Sequence, residues 1–152
     1  MKTTRKTVLE NKEKGLLFEN FFQRQARIQG FLCLKNELSA RYIGKGRLIA
    51  IKSDLDFRLI RQGKVGYFDC KSFSTEKFTY SDLNKDQIDR ALRYNEHDVP
   101  AGFIVYFLDL KLVRYFSGAY IDKKGPRTSF SHMEGQNLGS IFNLNLRHLL
   151  AQ

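Results

Sequence analysis

The sequence predicts an α/β fold: one domain with a central mixed β-sheet flanked by helices. Three observations carry this. Apolar residues change period along the chain in the order helix, several strands, helix, strands, helix, which a sheet covered by helices requires. Two of the strand-like runs form a hairpin around a Gln-Gly turn. The chain has 152 residues, 42% of them hydrophobic and 13% aromatic, enough for a single substantial core and not more.

Taken in order, residues 1–14 are polar and basic and are expected to form a flexible arm, leaving 15–152 as the folded domain. Residues 15–29 favour a helix with Leu17, Phe21 and Ile28 on one face, ended by Gly30. Residues 31–34 read as a short strand. Residues 40–52, rich in Arg, Lys and Gly, read as a loop entering a strand at 48–51. The hairpin strands are 55–60 and 65–70. Asp82 or Asn84 caps a helix running to about Asn95, with Leu83, Ile88, Ala91 and Leu92 available to pack. Pro100 and Gly102 break the chain before an apolar strand at 103–108, with 110–116 as its hairpin partner. Residues 123–127 are an exposed basic turn, and 141–150 read as a final helix.

The formal net charge is +10, which draws a domain of this size to polyanions, nucleic acid above all. No run reaches the roughly 18 apolar residues of a spanning helix, and the charged start lacks the apolar stretch of a signal peptide. Cys33 and Cys70 have neither zinc spacing nor a disulfide framework, and read as reduced, buried thiols of a cytoplasmic protein. His97, His132 and His148 lack ligand spacing, Gly44-Lys45-Gly46 is too short for a phosphate-binding loop, and the phenylalanines fall at core spacing.

The hairpin concentrates the chemistry. If Gln62 and Gly63 are the central turn residues, Asp56 faces Asp69, with Cβ atoms about 4.5–5.5 Å apart. If the turn is Gly63-Lys64, Asp56 faces Lys71 and lies diagonal to Asp69. Both registers put Asp56, Asp69 and Lys71 on one face; a three-residue loop would separate them. Opposed carboxylates repel, and a plain sheet gives no reason to oppose them. A divalent cation removes that cost, and Mg²⁺ is typically held by one or two carboxylates with waters and phosphate oxygens. Lys71 adds a positive charge on a long stem beside such a site.

These residues have a familiar order. Ser53-Asp54-Leu55-Asp56-Phe57, then Gly63, then Tyr67-Phe68-Asp69-Cys70-Lys71 resembles the PD-(D/E)xK nuclease motif, and in particular the RecU-type and archaeal Holliday-junction resolvases. Residues 14–19 resemble the start of their first helix, 78–87 the segment ending in their helical glutamine, and 101–107 with 114–116 their closing strands. The likeness covers about 14–116. It departs from the pattern at Leu55, where the motif has proline, and at Asp69, where glutamate is more usual. The first-strand region is also shorter.

The resemblance implies a restriction-endonuclease-like domain in which Glu19, Asp56 and Asp69 hold Mg²⁺, with Mn²⁺ as substitute. Lys71 is then catalytic and Gln87 supports the site. Glu19 shares a helical stripe with Gly15, Phe22 and Ala26, and Gln87 shares one with Leu83, Ala91 and Tyr94. Gln87 also stands at the position of a capping-box partner for Asn84. The implied activity is paired nicking of four-way DNA junctions by a homodimer, with the edges around residues 73–80 as candidate interface. Arg5 and Lys6, Arg41, Lys45 and Arg47, and Lys123, Lys124 and Arg127 are the expected phosphate contacts. The alternatives are another nuclease of the same superfamily, of restriction, repair or exonuclease type, and a non-catalytic DNA-binding module.

Overall fold

The computed structural model describes residues 5–36, 39–42, 48–51 and 55–151, and side chains within 13–36 and 55–151. Helix α1 (Arg5–Ile28) begins ten residues before the expected Gly15, inside the segment read as an arm. The reason is compositional: that stretch holds no proline, is rich in helix-favouring Lys, Glu and Arg, and sets Glu10 four residues before Lys14. Its buried stripe is Phe18, Phe22 and Ala26, whereas Leu17 and Ile28 of the expected apolar face lie exposed. Gly30, at φ 90°, turns the chain out of the helix, and Phe31 N–H returns to Ala26 O at 3.0 Å.

Eleven strands follow among the described residues: β1 (Leu32–Lys35), β2 (Ser39–Tyr42), β3 (Leu48–Ile51), β4 (Phe57–Arg61), β5 (Lys64–Phe73), β6 (Lys77–Thr79), β7 (Ala101–Phe107), β8 (Leu112–Ser117), β9 (Ser129–Ser131), β10 (Gln136–Ser140) and β11 (Asn143–Leu144). Two further helices, α2 (Lys85–Glu96) and α3 (Gly118–Lys124), fall between β6 and β7 and between β8 and β9. The main sheet has the order β1-β4-β5-β7-β8-β10-β11. Every pair in it is antiparallel except β5 with β7, whose connection runs through α2, as a parallel pair requires. β2 pairs with β3, so the expected loop at 40–47 begins as a strand. β6, within the 73–80 segment expected to offer an interface, pairs along one edge with β9.

The sheet is covered on both faces. On one, α1 and the C-terminal segment enclose Phe57, Leu59, Phe68, Cys70, Ile104, Val113 and Tyr115. On the other, α2, α3 and β6 enclose Phe78, Ile88, Phe103, Val105, Phe107, Phe116 and Phe130. β7 alternates between these two cores, which explains its nearly unbroken apolar sequence. Gly118 lets α3 approach α2: a Cβ there would meet the Ala91 Cβ at 2.6 Å.

The expected helix at 141–150 does not form. Ser140 Oγ accepts the N–H groups of Phe142 and Asn143, each at 3.2 Å, and Asn145 Oδ1 accepts from Arg147 at 3.1 Å. Such side chains compete for the donors a helix would use. Leu144 buries itself from β11, and Leu146, Leu149 and Leu150 from the irregular segment and turn that follow. Gln29 fastens this segment, donating to Leu144 O at 2.8 Å and accepting from Leu146 N at 2.7 Å. Both cysteines are free and buried, and no described helix is long and apolar enough to cross a membrane.

Candidate active site

The β4–β5 turn selects the first of the two registers. Gln62 and Gly63 both have positive φ, 52° and 76°, as a two-residue hairpin prefers, and Arg61 pairs with Lys64. Pairing runs outward to Phe57 with Phe68, so the next step sets Asp56 beside Asp69. Phe68 and Cys70 point to the α1 core. Alternation turns Asp69 and Lys71 to the α2 side, where Gln87 meets them.

Asp69 is fully buried at the centre of the sheet, and it is the one charged or polar residue so buried among the described residues. Gln87 Nε2 donates to its Oδ1 at 2.9 Å. The first turn of α2 is capped instead by Asn84, whose side chain accepts from Asp86 N at 2.9 Å, so Gln87 serves no capping box. Lys71 Nζ stands 2.9 Å from Asp69 Oδ2. It lies off the direction of a hydrogen bond, so the contact is ionic. Gln87 Oε1 is likewise buried without a partner.

Asp56 is half-buried in the bend before β4. Burial, hydrogen bonding to Asp69 and the negative charges of Asp69 and Glu19 together push its carboxyl up to about 8, against the pull of Lys71. At neutral pH and without a cation, Asp56 therefore keeps a proton and Asp69 accepts it. Glu19 projects from α1 close enough for its charge to act on Asp56, but its nearest partner is Lys35, at 3.4 Å. Among the described residues no three His, Cys, Asp or Glu side chains converge as a ready metal site. Asp56 and Asp69 do come together; Glu19 is drawn aside.

Two residues near the site carried no signal in the sequence. Lys35 ends β1 and reaches Glu19. Asn36, next along, donates its N–H to Asp56 O at 2.7 Å and its Nδ2 to Leu55 O at 2.6 Å. A lone amide after a four-residue strand looks like any loop residue.

Of the expected phosphate contacts, Lys123 and Arg127 are exposed at the end of α3 and just beyond it. Lys124 is engaged within the protein. Its Nζ donates to Glu134 Oε1 and to Ser129 O, both at 2.6 Å, and lies 4.8 Å above the Phe130 ring. It is a fastener of the fold. The backbones of Arg5, Lys6 and Arg41 lie in α1 and β2, with side chains outside those described, and Lys45 and Arg47 lie outside the described residues.

Fold and register define an α/β domain whose central hairpin opposes two carboxylates beside a lysine. Among solved structures, the chain is similar to Archaeoglobus fulgidus Hjc, a Holliday junction resolvase from an archaeal hyperthermophile, with a TM-score of 0.58. The likeness covers 81% of this chain and 95% of that one at 10% identity, and it shows a shared fold. No protein-family profile and no curated protein matches the sequence.

Proposed function

We propose that the protein is a metal-dependent endodeoxyribonuclease that resolves four-way DNA junctions as a homodimer. The observation that carries this is the Asp56–Asp69 pair, two carboxyls opposed across the hairpin in a fold shared with a junction resolvase. The donor set fits a divalent cation: two carboxylates converge, one of them fully buried, and the proton Asp56 keeps between them is what a cation would displace. Asp56 and Asp69 would hold Mg²⁺ or Mn²⁺, with Glu19 joining them once released from Lys35. The cation, when bound, supplies Lewis acidity to the phosphodiester and charge against the leaving oxygen.

The protein's own groups have distinct tasks. Gln87 fixes the rotamer of Asp69 through Oδ1, so its other oxygen stays turned toward Asp56. Lys71 is partly exposed and rooted beside the carboxylates, where it sets a fixed positive charge against developing negative charge in the transition state. The charge of +10 supplies sequence-independent attraction to the backbone. A two-fold dimer would make the second nick effectively intramolecular.

The test compares a mobile four-way junction with linear duplex and single strand, in Mg²⁺, Mn²⁺ and chelator. Paired symmetric nicks in the junction, dependent on metal and absent from Asp56→Asn, are expected. Equal cutting of all three substrates would make it a general nuclease of this fold. Binding without metal-dependent cutting would make it a DNA-binding module.

A further inference from the structure

We infer that Asn36 is a positioning residue that holds Asp56 against Asp69; the inference rests on the nuclease reading above. Strand β4 begins at Phe57, so Asp56 lies beyond the regular ladder. The last paired rung between β1 and β4 is Lys35 with Phe57. Past it, Asn36 supplies two donors: its N–H takes Asp56 O at 2.7 Å, and its carboxamide takes Leu55 O at 2.6 Å. The carboxamide substitutes for the rung that the departing strand no longer provides.

The bend is thereby held from two sides. The Leu55 side chain is fully buried with Ala91 and Ala101, against Tyr67 and Tyr94, while its carbonyl is tied to Asn36. Between these anchors the Asp56 backbone has little freedom. That matters because the two carboxylates repel whenever both are charged, and a loose bend would relieve the repulsion by turning Asp56 away. Asn36 opposes that relief. Groups that orient a ligand without touching the ion commonly change metal affinity by about 10–100-fold when removed.

The experiment measures Mn²⁺ binding to the whole chain without DNA, by titration calorimetry or loss of the free-ion paramagnetic signal, beside junction cleavage against Mn²⁺ concentration. Asn36→Ala keeps the backbone donor and removes the carboxamide; Asn36→Ser keeps a donor on a shorter arm. Asn95→Ala is the control, because Asn95 likewise caps two carbonyls, those of Val99 and Ala101, at 3.1 and 3.2 Å. Asn36→Ala is expected to weaken Mn²⁺ binding about tenfold. The metal needed for half-maximal cleavage should rise by the same factor and the rate should recover at saturation, with Asn36→Ser in between. Asn95→Ala should lower the melting temperature and leave Mn²⁺ affinity unchanged. Mn²⁺ affinity in Asn36→Ala within about threefold of wild type, or an equal loss in Asn95→Ala, overturns the inference. If Asn36→Ala does not fold, Asn36→Ser is judged by the same threshold. Wild type and Asp56→Asn binding Mn²⁺ equally would instead defeat the nuclease reading itself.

Discussion

Two acidic clusters in this domain contain a lysine, and they are built on opposite principles. Around Glu134, Oε1 accepts from Lys124 at 2.6 Å and from Tyr120 OH at 2.8 Å, while Oε2 accepts the Ser131 N–H. Burial acts to raise this carboxyl, but those bonds outweigh it and leave Glu134 below its ordinary range. Around Asp69 the opposite holds. A second carboxyl faces it at hydrogen-bond distance, and that carboxyl, Asp56, is driven up to about 8. The Glu134 cluster is complete without help and ties α3 to β9 and the turn after it. The Asp56–Asp69 pair, by contrast, stays together in the protein alone by keeping a proton, which the proposed cation would displace.

The largest effect expected from this contrast is on cleavage. Asp69→Asn should reduce it by at least about a thousandfold, because metal-held charge acts on the transition state. Its melting temperature should stay within a few degrees or rise. Glu134→Gln should do the reverse, costing about 1–2 kcal/mol of stability as charge-assisted bonds are removed, while cutting normally. Rate assays and thermal melts of the two variants, side by side, decide it. A slow Glu134→Gln or a normal Asp69→Asn would erase the distinction.

The two clusters should also titrate in opposite directions in metal-free protein. Asp56 binds its proton more tightly folded than unfolded. Its contribution is therefore greatest below about pH 4 and is lost as pH rises through about 8. Glu134 has a lowered value, so its contribution is full above about pH 4.5 and is lost as pH falls through that lowered value. The stability gained by Asp56→Asn should thus grow between pH 4 and 8 and then level. The loss in Glu134→Gln should be constant over that range and shrink in acid. Melting curves with chelator present measure both, and parallel profiles would refute the assignment.

A smaller effect separates the basic residues at the end of α3. Replacing Lys123 and Arg127 with Ala should make the slope of log K against log salt shallower by about 2, near 0.9 for each phosphate no longer neutralised. Lys124→Ala should leave that slope unchanged and lower stability by about 1 kcal/mol. Should Lys124→Ala flatten the slope as well, its bonds to Glu134 must open on DNA.

The Lys124 case shows what the sequence could and could not convey. Residues 123–127 looked uniformly basic, and no local pattern tells a lysine bonded to Glu134 from one facing water. The Asp56–Asp69 pairing was legible because strand alternation and turn length are local rules, and Gln62-Gly63 obeyed them. The α2 cap at Asn84 was legible for the same reason. Gln87 stood open between cap and site, and only the packing of α2 onto β5 brings it to Asp69. The failure at 141–150 came from reading leucine spacing as helical when Ser140, Asn143 and Asn145 divert the backbone. α1 extends to Arg5 because the Lys and Glu of residues 5–14, which give no apolar periodicity to read, favour helices all the same.

Gln29 also bears on when the domain closes. Its two partners lie 115 and 117 positions downstream. At ordinary synthesis rates of about 5–20 residues per second, α1 waits on the order of ten seconds for them. During that interval the face of α1 carrying Phe18, Phe22 and Ala26 has only part of its final cover. The nascent chain is then most open to chaperones, and to mispairing with other copies, along its first helix.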